Sequence, residues 1–209
     1  NGKEYGRITF SFADKYVQGG INEHGLAIDG TGAIKEMQMV VDPSIPDLPT
    51  RENIIDIILE KCKTADEAVE LCRNYNLLVL KCCHILFTDT SGKSVIVVLD
   101  KEGHTQFLTK NGNYQLITNF NPLNPTIGYY PCERYDTASI MLPNLSPTIW
   151  KAADVLNAVK QQGGIETHYG QVYDCANKKF YLFRKQEYSQ ALVFDIESLL
   201  KGKNFRIKL

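Results

Sequence analysis

Three sets of residues in this sequence have side chains able to do chemistry. The first is Cys82-Cys83-His84, which has the composition of a thiol and imidazole dyad or of half a metal site. On a strand Cys82 and His84 share a face while Cys83 points the other way, so at most two of the three converge, and no second pair stands at ligand spacing. A satisfied core strand is expected there. The second is QGGINEHGLAIDGTG, Gln18 to Gly32, with five glycines among fifteen residues and Glu23 and His24 set between them. A phosphate loop needs GxGxxG or GxxxxGK[ST] between a strand and a helix, and neither occurs; GTGAIK lacks the third glycine and runs into a proline-bearing loop. Glu23 and His24, adjacent on a turn and expected to point apart, do not make a metal site by themselves. What remains is backbone: Gly25 suits the left-handed position of a hairpin loop, and Gly19, Gly20, Gly30 and Gly32 leave room for another chain segment or a ligand. The third set is His24, His104 and His168, which fall in turns or loop edges with no serine or aspartate arrangement to join them in a triad.

The elements that must position these residues follow from periodicity. GRITFSF, YVQGGI and GLAIDG read as strands in a meander. TRENIIDIILEKC and TADEAVELCRNY carry apolar residues at helical spacing, and Thr64 with Glu67 forms a capping box. CCHILF, SVIVVL, HTQFL and YQLITNF are strands too closely spaced for parallel crossovers. A second helical pair follows, CERYDTASIML and IWKAADVLNAVKQQ, started by Ser146-Pro147 and stopped by Gly163-Gly164. YGQVYD, KKFYLFRK and ALVFDI are the last strands, and KGKNFRIKL reads as a lysine-protected edge. The order of strands, helix pair, strands, helix pair and strands predicts an α+β fold with two stacked antiparallel sheets flanked by helices, as one domain over residues 1–209.

Composition narrows the function. Lys plus Arg number 23 and Asp plus Glu 24, a net charge of -1 with the signs interspersed, so neither nucleic acid nor an anionic membrane is an expected partner. No apolar run approaches the length that spans a bilayer. The six cysteines form no CxxC pair and leave the compartment open; Cys62 and Cys72 fall on apolar helix faces and are expected to be core thiols.

Taken in order, QGGINEHGLAIDG, LITNFNP, CERYDTA and HYGQVYDCANKKFYLF resemble the choloylglycine hydrolase and penicillin V acylase family of linear amide C-N hydrolases. The resemblance runs from about Tyr5 to the C-terminus. It implies a four-layer αββα sandwich of the N-terminal nucleophile superfamily. The implied chemistry is hydrolysis of a small-molecule amide (an N-acyl amino acid, or a bile-salt-like or penicillin-V-like amide) with no cofactor and no metal. An N-terminal cysteine, with its own α-amine as base, would form an acyl-enzyme that water releases. That cysteine is expected upstream of GRITFSF, on a segment preceding this chain. Asn119 matches the family's oxyanion-hole asparagine, and Arg134 its arginine beside the nucleophile, where a fixed positive charge favours thiolate. Gly32 stands at about the place of a second family asparagine; Asp29, Thr31, Gly32 and Phe120 are the implied substrate-binding residues. The alternatives are an inactive small-molecule-binding relative and an acyltransferase; a homo-oligomer is a further expectation.

Overall fold

The computed structural model describes residues 4–12, 16–33, 36–48, 53–164 and 166–202. Strands β1 (Arg7–Phe12), β2 (Tyr16–Asn22) and β3 (Ala27–Gly32) form the expected meander. Gly25 turns β2 into β3 with a φ of 79°, the left-handed region that costs glycine least. At Gly20 a Cβ would lie 2.3 Å from the carbonyl oxygen of Ile8 and 2.9 Å from Leu59, so only glycine lets β1 and α1 approach this closely.

Helices α1 (Ile54–Lys61) and α2 (Ala65–Arg73) follow. Thr64 Oγ1 accepts the Glu67 amide at 3.2 Å, and the Glu67 carboxylate accepts from the Lys63 amide rather than from Thr64 itself. Strands β4 (Cys83–Thr88), β5 (Ser94–Leu99) and β6 (Thr105–Thr109) complete a six-stranded sheet in the order β1-β2-β3-β4-β5-β6, antiparallel throughout. A short pair, β7 (Phe120–Asn121) and β8 (Asn124–Gly128), leads to α3 (Glu133–Met141) and α4 (Ile149–Ala158). Strands β9 (Tyr169–Asp174), β10 (Lys179–Arg184) and β11 (Leu192–Asp195) form a second sheet, and α5 (Ile196–Leu200) closes the described chain.

Strand alternation builds the layers. From β3, Ile28 faces Ile54, Ile58 and Leu59 of α1, with Phe87 and Val97 beside it. Ala27 and Ile21 face the other way, onto Phe180 and Leu182 of β10. Beyond β10, Phe183 packs on Ala153 and Leu156 of α4. Helices, sheet, sheet and helices are thus stacked in the predicted αββα order.

Asn22 joins the first two layers. Fully buried, it donates to the carbonyls of Leu59 and Cys62 at 2.9 and 2.7 Å, and its side-chain oxygen accepts from the amides of His24 and Leu26. It thereby satisfies carbonyls at the end of α1 that have no helical partner. Asn22→Ala is expected to destabilise the fold by about 2 kcal/mol, read as a lower urea midpoint with an unchanged slope.

Four expectations are corrected. YQLITNF makes no ladder over Tyr114–Asn119; Gln115 ties this segment down by its side chain, donating to the Leu108 carbonyl and pairing with Ser94. Helix α4 stops at Ala158 rather than running to Gln162, because Gln161 exchanges hydrogen bonds with Thr167 instead of continuing the helix. Helix α5 replaces the start of the expected tail, capped by Asp195; the rest of KGKNFRIKL, from residue 203, lies outside the described residues. Cys82 is not on a strand: it ends a 3-10 turn over Leu78–Lys81, is exposed, and lies with its sulfur 3.8 Å from that of Cys83.

Candidate active site

The centre of the site is a carboxamide whose partners fix its orientation. Asn119 Nδ2 donates to the Gly32 carbonyl at 2.7 Å and to Thr31 Oγ1 at 3.1 Å, while Oδ1 accepts from Arg134 Nη2 at 2.6 Å. A guanidinium only donates and a carbonyl only accepts, so the amide has one orientation that satisfies both. Arg134 sits in the first turn of α3, and the segment around it is held by Phe120, which packs edge-on against Tyr130 and Tyr135 with ring centroids 5.1 and 5.0 Å away. Phe120 itself is 5% exposed, placed beneath the site as support. A Cβ on Gly32 would have no atom of the described residues within 4 Å.

Two residues before Thr31 and on its face of β3, Asp29 accepts a hydrogen bond from Gln171 Nε2 of β9 at 3.1 Å. Burial raises its pKa to about 6, with the hydrogen bonds from Gln171 and the Gly30 backbone opposing the shift. Tyr169 and Tyr173, on the same β9 face as Gln171, have phenols raised by burial and by the nearby Asp29 charge. Against this group opens a cavity of about 450 Å³, lined by Arg134, Thr118, Gln171 and Tyr173 on its polar side and by apolar residues such as Leu116, Leu142, Val155 and Leu156 elsewhere. Three residues of its lining each carry a buried polar atom with no partner among the described residues, Thr118 Oγ1, Gln171 Oε1 and Tyr173 Oη. Such groups are costly unless something bonds them.

Asn119, Arg134, Thr31 and Gly32 therefore meet, Asp29 lies beside them, and Phe120 stands behind. Sequence reasoning missed Thr118, Gln171 and Tyr173. The signal was present for two of them: a polar Gln171 between Tyr169 and Tyr173 at period two is a polar residue on a face otherwise aromatic. The other chemical candidates are dispersed. Glu23 and His24 do not point apart, Glu23 Oε1 and His24 Nε2 being 4.0 Å from each other on the turn. His84 is wholly buried, opposite Thr31, with both ring nitrogens unpartnered among the described residues. The expected core strand is there, but its histidine is not satisfied, and burial lowers its pKa to about 4.

No protein-family model and no curated protein matches this chain. Solved structures do. A point mutant of conjugated bile acid hydrolase from Clostridium perfringens aligns with a TM-score of 0.69 over 100% of this chain and 83% of its own, at 15% identity. The chain shares this fold. A second variant of that hydrolase aligns at 0.66, with 17% identity over 94% of this chain and 78% of its own. Penicillin V acylase from Agrobacterium tumefaciens aligns at 0.65, with 20% identity over 97% of this chain and 73% of its own. The four-layer αββα sandwich implied by the four sequence motifs is thus the architecture present.

Proposed function

We propose that this chain forms, as one domain, the body of a hydrolase of linear amides. Its substrates are N-acyl amino acids or related acylated amines, and it acts through an acyl-enzyme on an N-terminal cysteine carried upstream of Arg7. The observation that supports this reading is the carboxamide of Asn119, anchored by Arg134 beside a largely apolar cavity. Arg134 polarises the amide through its carbonyl, which strengthens the Nδ2 donors. When the cysteine attacks, the carbonyl oxygen of the substrate becomes an oxyanion and needs a donor held where that charge develops. The Thr31 contact, at 3.1 Å the longer of the two that Nδ2 makes, is the one exchanged for the oxyanion, while the Gly32 bond keeps the amide in place. The acyl group occupies the cavity, against apolar residues such as Leu116, Leu142, Val155 and Leu156.

The test is amine release from a panel of N-acyl amino acids of graded acyl length, using the full natural product of the gene. Ala152→Leu, which adds bulk to the cavity wall contributed by α4, is expected to raise KM for the long-acyl members about tenfold or more and to leave the acetyl member unchanged. Equal effects across the panel would remove the acyl group from this cavity.

One observation favours a second reading, a binding protein without turnover: both Nδ2 hydrogens of Asn119 are already donated within the chain. Heat of binding from an acylated amine with no amine released would select that reading.

A further inference from the structure

Cys82 and Cys83 take no part in the site just described. Among the six cysteines, Cys62, Cys72 and Cys132 are buried, and Cys175 is half-buried. Cys82 alone is exposed, at the end of the 3-10 turn, and its sulfur stands 3.8 Å from that of half-buried Cys83, the first residue of β4. A solute can therefore reach Cys82, while Cys83 waits behind it with its thiol kept protonated by burial and by its neighbour.

We propose that Cys82 and Cys83 are a redox modification site, a vicinal dithiol that peroxide closes to a disulfide. The sulfur of Cys82 attacks one peroxide oxygen; the S–O bond forms, the O–O bond breaks, and the other oxygen leaves as water with the Cys82 proton. The sulfur of Cys83 then attacks the sulfenic sulfur; the S–S bond forms, the S–O bond breaks, and the hydroxyl leaves as a second water with the Cys83 proton. The dithiol loses two electrons and hydrogen peroxide gains them.

The pair is built to be reversible. Adjacent Cα atoms across a trans peptide lie about 3.8 Å apart, short of the range of roughly 4.4–6.8 Å that relaxed disulfides adopt, and strained disulfides are readily reduced. Closure also reaches the neighbouring strand. The carbonyl of Cys82 accepts from the Ala33 amide at 2.7 Å, and Cys83 pairs with Gly32, whose own carbonyl holds Asn119. Drawing the sulfurs together rotates the 82–83 peptide and loosens the Ala33 bond.

The experiment treats the intact protein with hydrogen peroxide, alkylates with iodoacetamide, and maps the peptide containing residues 82 and 83. The expected product has lost two hydrogens, takes no alkyl group, and returns to a doubly alkylated form after dithiothreitol. In Cys83→Ser the sulfenic acid persists on Cys82 and is captured by dimedone; in Cys82→Ser the remaining thiol is alkylated as before. Hydrogen exchange at the Ala33 amide is expected to rise about tenfold on oxidation and to recover on reduction, a readout independent of any amide substrate. Full alkylation of both residues after peroxide, or a bridge from Cys82 to a second molecule, overturns the proposal.

Discussion

Asn119→Ala, in the catalytically complete protein, lowers kcat by about 100- to 1000-fold with little change in KM, the loss expected when one preorganised oxyanion donor is removed. The same substitution also cuts the tie between the segment before β7 and the end of β3, so activity alone does not separate chemistry from support. Thr31→Val makes the separation. It removes only the 3.1 Å contact, the one surrendered to substrate in the proposed mechanism, and is expected to leave kcat within about threefold of the parent. A fall as deep as that of Asn119→Ala would mean that the carboxamide is a clip holding two segments together and not an oxyanion donor. Denaturant midpoints measured alongside keep the two variants comparable, since each lost hydrogen bond costs about 1 kcal/mol.

The second large effect concerns pH and stability, and it comes from two groups whose burial acts with opposite sign. Asp29 has its pKa raised from 3.8 to about 6, so the folded state holds a proton that the unfolded chain releases. Stability from this group is present below pH 3.8 and is lost as pH rises through 6. His84 has its pKa lowered from 6.5 to about 4, so the unfolded chain takes up a proton that the folded state refuses. Its stability is present above pH 6.5 and is lost as pH falls through 4. Each shift corresponds to at most about 3 kcal/mol, less where water reaches the group. In the parent protein the two slopes oppose each other between about pH 4 and 6, and substitution exposes them. The stability of Asp29→Asn minus that of the parent is expected to be flat below pH 4 and to climb by up to about 3 kcal/mol by pH 7. For His84→Leu the difference is flat above pH 6.5 and climbs by a similar amount as pH falls to 4. Chemical unfolding across this range gives both curves, and difference curves without slope would show that water solvates these side chains in the folded state.

How much of this was legible in the sequence depends on the range of the interaction concerned. Segments with a strong local signal, such as the continuous apolar run SVIVVL and the helical period of TADEAVELC, lie where the pattern puts them because each is decided by its own residues. The meander around Gly25 was legible for the same reason, the turn requiring one backbone conformation that glycine supplies. Tyr114–Asn119 was not, since side-chain bonds from Gln115 replace a ladder there and no period records that choice. For the site, four short motifs pointed to Asn119 and Arg134, and the structure brings those two to 2.6 Å. Gln171 reaches Asp29 from 142 residues away, a contact created by the stacking of two sheets and invisible to any local rule. The pairing of the Cys82 and Cys83 sulfurs was hidden by a single residue of boundary error: read as strand, the two side chains diverge, and read as the end of a 3-10 turn, they converge.

The order of the first sheet bears on how the protein is made. Every strand from β2 to β6 pairs with the strand before it in sequence, so these six strands and their helix pair can assemble once Thr109 has left the ribosome. Its opposite face, with Ile21 and Ala27, is covered by Phe180 and Leu182, and β10 begins only at Lys179. At synthesis rates of about 5–20 residues per second, the intervening 70 or so residues take roughly 4–14 s. For that interval a nascent chain carries these six strands with one oily face uncovered, which makes that face a natural client surface for a holding chaperone.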